Sequence, residues 1–550
     1  MLQLDKLSIP KELKVIEIQT LTPILDKTKS HIIEQLKNPR GKLETHPQKP
    51  LRYCLLLTYF LLQDTANFKI LLSELRKEET KISDQEQLYF DLLLLQSNTK
   101  TTTESSILNK IEYDRLLRTY TKWHLLIPNL LSIRYKAQLK KSEKANWNLS
   151  PKSYLLLLEL FIDWFYRLPA KDTFIPAIEY RIDSLKKEIT SFWDSKAFNL
   201  SSIKRPLSLT RVAVWDTGVD AAVIKNVSKE IALYHDERGD STKAPLMPLQ
   251  NIIETDWALY KGFLDLRIAK RSIASKELIK ELSQYAEADM TKFRSIINQL
   301  RLHNHGTVVA SVISKGNPAI EIVPIRTTFD VDLDNLAYFT PQRVEKEMKT
   351  NELIMETIQQ HKVGVVNMSW NHRKKDVEAT LTNTSNLGKE EVRTLATELF
   401  TKLRTNLYNC IKNCSDTLFV SGSGNDNNNM EEDGNIPCNF NLPNLITIGA
   451  VNYKGRRTDF TTIGKNVQLY ANGSYVDTVI PKGYKSKSSG TSIAAPQVAN
   501  LAATMLSICP TMTPSSIKQY LLANADRMVE EDILVINPKR TIQKVLTISQ

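Results

Sequence analysis

Glycine is distributed very unevenly along this chain of 550 residues. Of its 17 glycines only Gly41 lies within residues 1–200, so that this part has little need for tight turns or close backbone approach. Leucines recur there at steps of three and four residues, the spacing of an amphipathic helix. They include Leu55, Leu56, Leu62, Leu71, Leu75, Leu88, Leu92 and Leu95, and the stretches 111–139 and 153–167 have the same texture. We therefore predict an all-α domain over residues 1–200.

The role of this helical domain has two interpretations. Its helices can pair as in helical-repeat proteins, although no fixed repeat of about 34 residues is found. The domain is either a packing domain without a partner or a module that recruits substrate or restrains the rest of the chain. In the second case it would bind a protein partner.

A different sequence pattern begins after the polar segment 199–209, which we interpret as a linker. Short apolar runs alternate with longer helical patterns, which is typical of a parallel α/β sheet. The predicted strands are Val212–Trp215, Ile320–Ile325, Val363–Met368, Thr417–Ser421 and Leu445–Val451, and the predicted helices include Thr307–Ile313, Val344–Gln360 and Glu390–Lys412. We predict that residues 207–550 form a parallel sheet flanked by helices, with functional side chains at the carboxyl ends of its strands.

Ser492 lies at the start of one predicted helix. Small residues surround it in the sequence Ser-Gly-Thr-Ser-Ile-Ala-Ala-Pro, and an apolar run at helical spacing follows. A hydroxyl group at a helix N-terminus has unpaired backbone N–H groups and the positive end of the helix dipole beside it. Ser492 is therefore a candidate nucleophile, although taken alone the pattern favours an ordinary N-cap.

Two more motifs precede this serine. The predicted strand 212–215 ends in Asp216-Thr-Gly, and His305-Gly-Thr opens an apolar helix. Asp216, His305 and Ser492 thus occur in the order known from subtilisin. Over about residues 207–525 the three motifs resemble the subtilisin-like serine peptidases (subtilases).

This resemblance implies a catalytic triad. Ser492 would attack the scissile carbonyl group, His305 would take its proton, and Asp216 would orient the imidazole. His303 is the nearby alternative base, but the Gly-Thr of the family motif does not follow it. The family's inhibitory propeptide is of α+β type, which the helical pattern of residues 1–200 does not match.

The resemblance also implies further site residues. Asn425 would donate its side-chain amide to the oxyanion, although Gly-Ser-Gly-Asn is also an ordinary turn sequence. Ser369 and Trp370 would bind the substrate backbone and wall the first specificity pocket, and Gly422 and Gly424 would line its opposite wall.

The 88 residues between Asp216 and His305 exceed what a compact member of the family needs. We predict an insertion at about residues 223–300. Long surface insertions have a small thermodynamic cost, so this one can be a surface element without a role. Alternatively, it is a lid or a docking element beside the site.

Composition limits the cofactors, partners and location. The net charge of +12 is spread along the chain without a basic tract interleaved with aromatics, which argues against nucleic-acid binding. Charges interrupt the apolar runs, so no membrane span is predicted. Five scattered cysteines and the absence of an opening signal pattern favour free thiols in a cytoplasmic location.

No metal site is predicted. Asp330, Asp332 and Asp334 resemble the start of a calcium loop, but Asn335 and Pro341 replace its Gly and Glu. The sequence does not locate the irregular structural calcium sites that the family often has.

We therefore expect a cytoplasmic serine endopeptidase that acts through an acyl-enzyme, needs no organic cofactor, and is controlled or targeted by its helical domain. The alternative is a non-catalytic binding scaffold on the same fold. Natural substrate, autoprocessing and oligomeric state are not determined by the sequence.

Overall fold

A computed structural model describes residues 113–144, 151–163, 167–188, 206–236, 239–327 and 340–548, together with residues 200 and 203 and twelve positions between 26 and 71. The chain divides into two compact units. Unit 1 comprises Met1–Leu185 and Asp265–Arg294, and unit 2 comprises Lys186–Leu264 and Ser295–Gln550. Most of the leucine pattern between residues 55 and 95 lies outside the described residues, and the domain boundary at 200–207 stays a prediction.

Four N-terminal helices belong to unit 1. They are α1 (Tyr113–His124), α2 (Pro128–Lys144), α3 (Pro151–Ile162) and α4 (Leu168–Glu188). Helices α2 and α3 begin at proline, whose fixed φ and missing N–H suit the first helical turn. The core of the unit includes Trp123 and Phe174, whose rings lie 4.9 Å apart, and a buried ion pair between Asp163 and Arg167. The predicted helical character of this part is confirmed.

The segment Asp265–Arg294 of the predicted insertion also belongs to unit 1. Within this unit the guanidinium of Arg271 binds Glu179 at 3.3 Å and also Asp183. Thr121 Oγ1 donates to the carbonyl of Leu266 at 3.4 Å. Two ion pairs and a hydrogen bond therefore join this part of the insertion to the helices α4 and α1.

Further helices run from residue 254 to residue 548. They are α5 (Glu254–Arg267), α6 (Ile273–Leu282), α7 (Glu287–Ile313), α8 (Pro341–Gln360), α9 (Lys374–Thr384), α10 (Lys389–Asn413), α11 (Met430–Asp433), α12 (Thr491–Ile508), α13 (Pro514–Ala523) and α14 (Pro538–Ile548). The predicted helices at 344–360 and 390–412 correspond to α8 and α10. The prediction that a helix opens after His305 is wrong, because α7 begins at Glu287 and residues 307–313 are only its last part.

Unit 2 is built on a mostly parallel sheet. Its strands are β1 (Thr210–Asp216), β2 (Leu233–Tyr234), β3 (Ile320–Arg326), β4 (Val365–Met368), β5 (Leu418–Gly422), β6 (Leu445–Val451), β7 (Val467–Asn472), β10 (Asp526–Met528) and β11 (Ile533–Val535). Their order is β10-β11-β7-β6-β5-β4-β1-β3-β2, and only β10–β11 is antiparallel among these pairs of described strands. Strands β8 (Val476–Ile480) and β9 (Tyr484–Ser488) form a separate antiparallel hairpin before α12. The predicted fold class is confirmed.

Both faces of the sheet are covered, which explains why its strands are apolar throughout. Successive side chains of a strand point to opposite faces. Val212 and Val214 accordingly lie in one core with Met505 of α12, while Ala213 and Trp215 lie in the other with helices α8 and α10. The central strands β1, β4 and β5 are thereby fixed side by side, with their carboxyl ends at one edge.

Candidate active site

Asp216 is the last residue of β1, and its side chain is only 1% exposed. One carboxylate oxygen, Oδ1, accepts the backbone N–H of Thr217 at 2.7 Å and the Nδ1–H of His305, also at 2.7 Å. The other oxygen, Oδ2, has no hydrogen-bond partner among the described residues. The strand end therefore presents a buried carboxylate whose main side-chain partner is His305.

The Asp-Thr-Gly and His-Gly-Thr motifs interlock. Gly306 N–H donates to Thr217 Oγ1 at 3.1 Å, and that hydroxyl donates to the carbonyl of Leu302 at 2.7 Å. A Cβ added to Gly306 would lie 2.2 Å from the carbonyl oxygen of Gly218, closer than atoms pack. Glycine at position 306 therefore allows helix α7 to approach the loop after β1 closely enough for the Asp216–His305 bond.

His305 has the environment of a base held in one tautomer. Burial by itself lowers the pKa of its imidazole, but the charge of Asp216 and its hydrogen bond more than offset this, so that the pKa is raised above its usual value. With Nδ1–H donated to the carboxylate, Nε2 carries the lone pair that can accept a proton. His303 differs, because its Nδ1 bonds to the carbonyl of Met247 at 2.6 Å and burial lowers its pKa.

Ser492 is the second residue of α12. Gly490 caps this helix with φ of +146°, a conformation that favours glycine, and the N–H of Ser492 makes no hydrogen bond within the described part of the chain. The Ser492 hydroxyl donates to the carbonyl of Ser369 at 3.1 Å and not to His305, while Ser369 Oγ donates to the carbonyl of Ser492 at 3.2 Å. Because Ser369 directly follows β4, and β4 pairs with β1, the structure brings Ser492 to the sheet edge where Asp216 lies.

Asn425 follows the segment after β5 and faces the same helix terminus. Its Oδ1 accepts the backbone N–H of Thr491 at 2.9 Å, so that Nδ2 is the outer atom of the amide, and Nδ2 makes no hydrogen bond to the described residues. A Cβ added at Gly490 would lie 3.5 Å from Asn425 Oδ1, 3.6 Å from Asn425 Nδ2 and 3.7 Å from Ser492 N. Two N–H donors that have no hydrogen-bond partner among the described residues therefore lie close to Gly490, beside Ser492.

The remaining predicted residues surround this terminus. Gly424 N–H donates to Thr491 Oγ1 at 3.1 Å, and a Cβ at Gly422 would come within 3.2 Å of the Thr491 carbonyl oxygen. The Trp370 ring packs against Trp215 in the core, with centroids 5.0 Å apart, and is only 9% exposed. Only the backbone of Trp370 is thus well placed to meet a substrate.

Trp257 and Met247 of the predicted insertion are residues that sequence reasoning missed. Trp257 lies edge-on to His303 with ring centroids 6.0 Å apart and shares an apolar cluster with Leu300 and Val308 of α7 and Ile493 of α12. The insertion therefore supports the helices that carry His305 and Ser492. The sequence signal for this is the set of apolar residues inside the insertion, such as Trp257, Tyr260 and Ile296, which share that cluster.

Among the described residues, no group of three or more His, Cys, Asp and Glu side chains has the arrangement of a metal site, and no helix is long and apolar enough to span a bilayer. The calcium-loop resemblance at residues 330–335 lies outside the described part. Cys410, Cys414, Cys438 and Cys509 are free thiols.

Known proteins resemble this chain in sequence. The sequence profile of the subtilase family matches residues 209–541. Subtilisin NAT of Bacillus subtilis subsp. natto is 35% identical over 83 residues, which are 15% of this chain and 22% of that protein. Subtilisin-like protease 2 of Trichophyton rubrum is 35% identical over 105 residues, 19% of this chain and 24% of that protein. The chain thus matches about a quarter or less of the length of these curated relatives.

Two solved structures are also similar. The crystal structure of a lanthipeptide protease covers 61% of this chain and 87% of its own, with 16% identity and a TM-score of 0.39. The crystal structure of a cold-adapted subtilisin-like serine proteinase aligns with 60% of this chain over 88% of its own length, with 17% identity and a TM-score of 0.36.

Proposed function

The chain belongs to the subtilase family, and on this premise we propose that it is a serine endopeptidase that hydrolyses peptide bonds through an acyl-enzyme. The observation that carries the proposal is the 2.7 Å hydrogen bond between His305 and the buried Asp216, at the sheet edge where α12 presents Ser492. A buried carboxylate, an oriented imidazole and a hydroxyl at a helix N-terminus are the groups that serine hydrolysis requires.

In this mechanism Ser492 first turns its hydroxyl from the Ser369 carbonyl toward Nε2 of His305. Rotation about one side-chain bond, between staggered positions, is a low-barrier change. Ser492 Oγ then attacks the scissile carbonyl carbon while Nε2 takes the hydroxyl proton, and Asp216 stabilises the imidazolium that forms. The imidazolium returns the proton to the leaving amine, and a water molecule activated by the same nitrogen hydrolyses the acyl-enzyme.

The negative charge that develops on the carbonyl oxygen is stabilised by the two unpaired donors. Ser492 N–H and Asn425 Nδ2 both lie close to Gly490. Because neither donor gives up a hydrogen bond within the described protein, both can act on the oxyanion at little cost.

The polypeptide substrate would lie along the sheet edge. The backbone of Ser369 and Trp370 would pair with it, and the backbone of Gly422 and Gly424 would form the opposite side. We also propose that the helical unit 1 controls or targets the peptidase through a protein partner. The free thiols support a cytoplasmic location, and no step of this chemistry calls for an organic cofactor.

The test of this function is replacement of the nucleophile. Ser492→Ala is expected to lower kcat by about 10⁶-fold, as known from subtilisin itself, and to abolish labelling by a fluorophosphonate probe. Ser516→Ala, in the first turn of α13, is the matched control and should leave both unchanged. A native chain that is not labelled and cleaves no peptide would favour the alternative, a binding scaffold on a subtilase fold.

A further inference from the structure

Two chain segments leave the carboxyl ends of the adjacent strands β4 and β5 and flank a gap beside Ser492. On one side, the carbonyl of Ser369 lies 3.1 Å from Ser492 Oγ. On the other, Gly424 N–H bonds to Thr491 Oγ1 at 3.1 Å. If the proposed function holds, a substrate carbonyl group at Ser492 places the side chain of its own residue between these two segments.

The side chain of Asn371 spans this gap. With its amide nitrogen oriented toward the two nearby carbonyl groups, it donates to Trp370 at 3.0 Å and to Gly422 at 3.3 Å. The first carbonyl belongs to the segment after β4 and the second to the end of β5. The amide therefore joins the two sides of the gap and occupies the space between them.

A second tie holds the same segments together farther from the sheet. Arg373 binds Asp376 through Nε and Nη2, at 2.7 and 2.8 Å, and its Nη1 binds Asp426, the residue after Asn425. The guanidinium is thus fixed on the β4 side and paired with a carboxylate on the β5 side. This ion pair restricts movement of the two segments apart.

The opposite wall of the gap has no side chain that could yield to a substrate. A Cβ at Gly424 would lie 2.8 Å from Thr462 Oγ1, and one at Gly422 would lie 3.2 Å from the Thr491 carbonyl oxygen. Both positions are backbone packed directly on the layer behind. The width of the gap therefore depends on the Asn371 side chain and on the Arg373–Asp426 ion pair.

We propose that Asn371 closes this gap to large side chains, so that the peptidase cleaves after glycine, alanine or serine in preference to leucine or phenylalanine. The inference rests on the proposed function and adds a substrate class to it. A mismatch of one methylene group in such a pocket changes kcat/KM by about 10- to 200-fold. A preference for alanine over leucine of at least about tenfold is therefore expected.

The experiment compares peptides that differ only at the residue before the scissile bond, cleaved by the full chain. The native protein should favour alanine over leucine, and Asn371→Ala should shift this ratio toward leucine by at least about tenfold. Asn466→Ala is the matched control, because the Asn466 amide also bridges two polar groups, on Asn439 at 3.0 and 2.8 Å, away from Ser492. The control should retain the native ratio.

The outcomes separate this inference from the proposed function. A native chain that reacts with a fluorophosphonate but cleaves best after leucine or phenylalanine overturns the inference alone, whether or not the variant folds. An unchanged ratio in a folded Asn371→Ala variant does the same. Absence of both labelling and cleavage in the native chain overturns the proposed function itself.

Discussion

Replacement of Asn425 gives the sharpest test of how the site stabilises charge. The two polar atoms of the Asn425 side chain have separable roles, because Oδ1 accepts the Thr491 N–H at 2.9 Å while Nδ2 has no partner among the described residues. Asn425→Ala removes both groups. Asn425→Asp keeps an acceptor for Thr491 and removes only the donor.

The expected magnitudes follow from these contacts. Removal of one oxyanion donor costs about 10²- to 10³-fold in kcat, or about 2.7–4 kcal/mol, a magnitude measured on subtilisin's own asparagine. Because Nδ2 is unpaired before the reaction, its loss should affect kcat and leave KM nearly unchanged. Asn425→Asp should lose at least as much, since its carboxylate would also repel the oxyanion.

The two variants should differ in stability. Loss of the Thr491 contact in Asn425→Ala resembles loss of a helix cap, worth about 0.5–2 kcal/mol in the free energy of unfolding. Asn425→Asp keeps that contact and places a negative charge at a helix N-terminus, so its stability should equal or slightly exceed that of the native chain.

The assay is steady-state hydrolysis of one peptide by both variants, together with denaturant unfolding. A kcat within about threefold of the native value in a folded Asn425→Asp variant would refute the role of Nδ2. A rise in KM with unchanged kcat would do so as well, because it would mean that Asn425 binds substrate and transition state equally.

Two further changes test the base and the helical unit. Asp216→Asn should lower kcat by about 10⁴-fold, because it favours the wrong tautomer of the His305 imidazole. Asp216 raises the pKa of His305 while burial lowers it, so the acid limb of the kcat/KM pH profile should move to lower pH in this variant. An acid limb that stays in place would contradict this assignment of the pKa. Arg271→Glu in the full chain replaces the ion pairs with Glu179 and Asp183 by repulsion within unit 1, and should change kcat/KM on a protein substrate if unit 1 controls or targets the peptidase. Arg527→Glu, which alters an exposed pair with Asp532, is its control, and equal rates for the two variants would argue against such a role.

Local sequence patterns alone determined much of unit 2. The predicted strand at 445–451 has the bounds of β6, and the other four predicted strands differ from β1, β3, β4 and β5 by at most two residues at either end. Buried parallel strands are apolar runs of limited length with polar ends, a signal that does not depend on distant residues. Strands β10 and β11 are short and the β8–β9 hairpin is polar, so the same pattern did not reveal them.

The sequence also predicted the residues of the candidate site, of which Asp216 at the end of β1 and Ser492 at the start of α12 follow from local patterns, whereas His305 lies within α7. It could not determine the contacts between them. That Ser492 bonds to Ser369, that Asn371 joins the ends of β4 and β5, and that residues 265–294 group with the N-terminal helices all depend on side chains far apart in the chain. The periodicity of the sequence determines on which face of a helix or strand a side chain lies. Its contact partner is determined only when sheets and helices pack, because packing selects one rotamer and one neighbouring side chain among many.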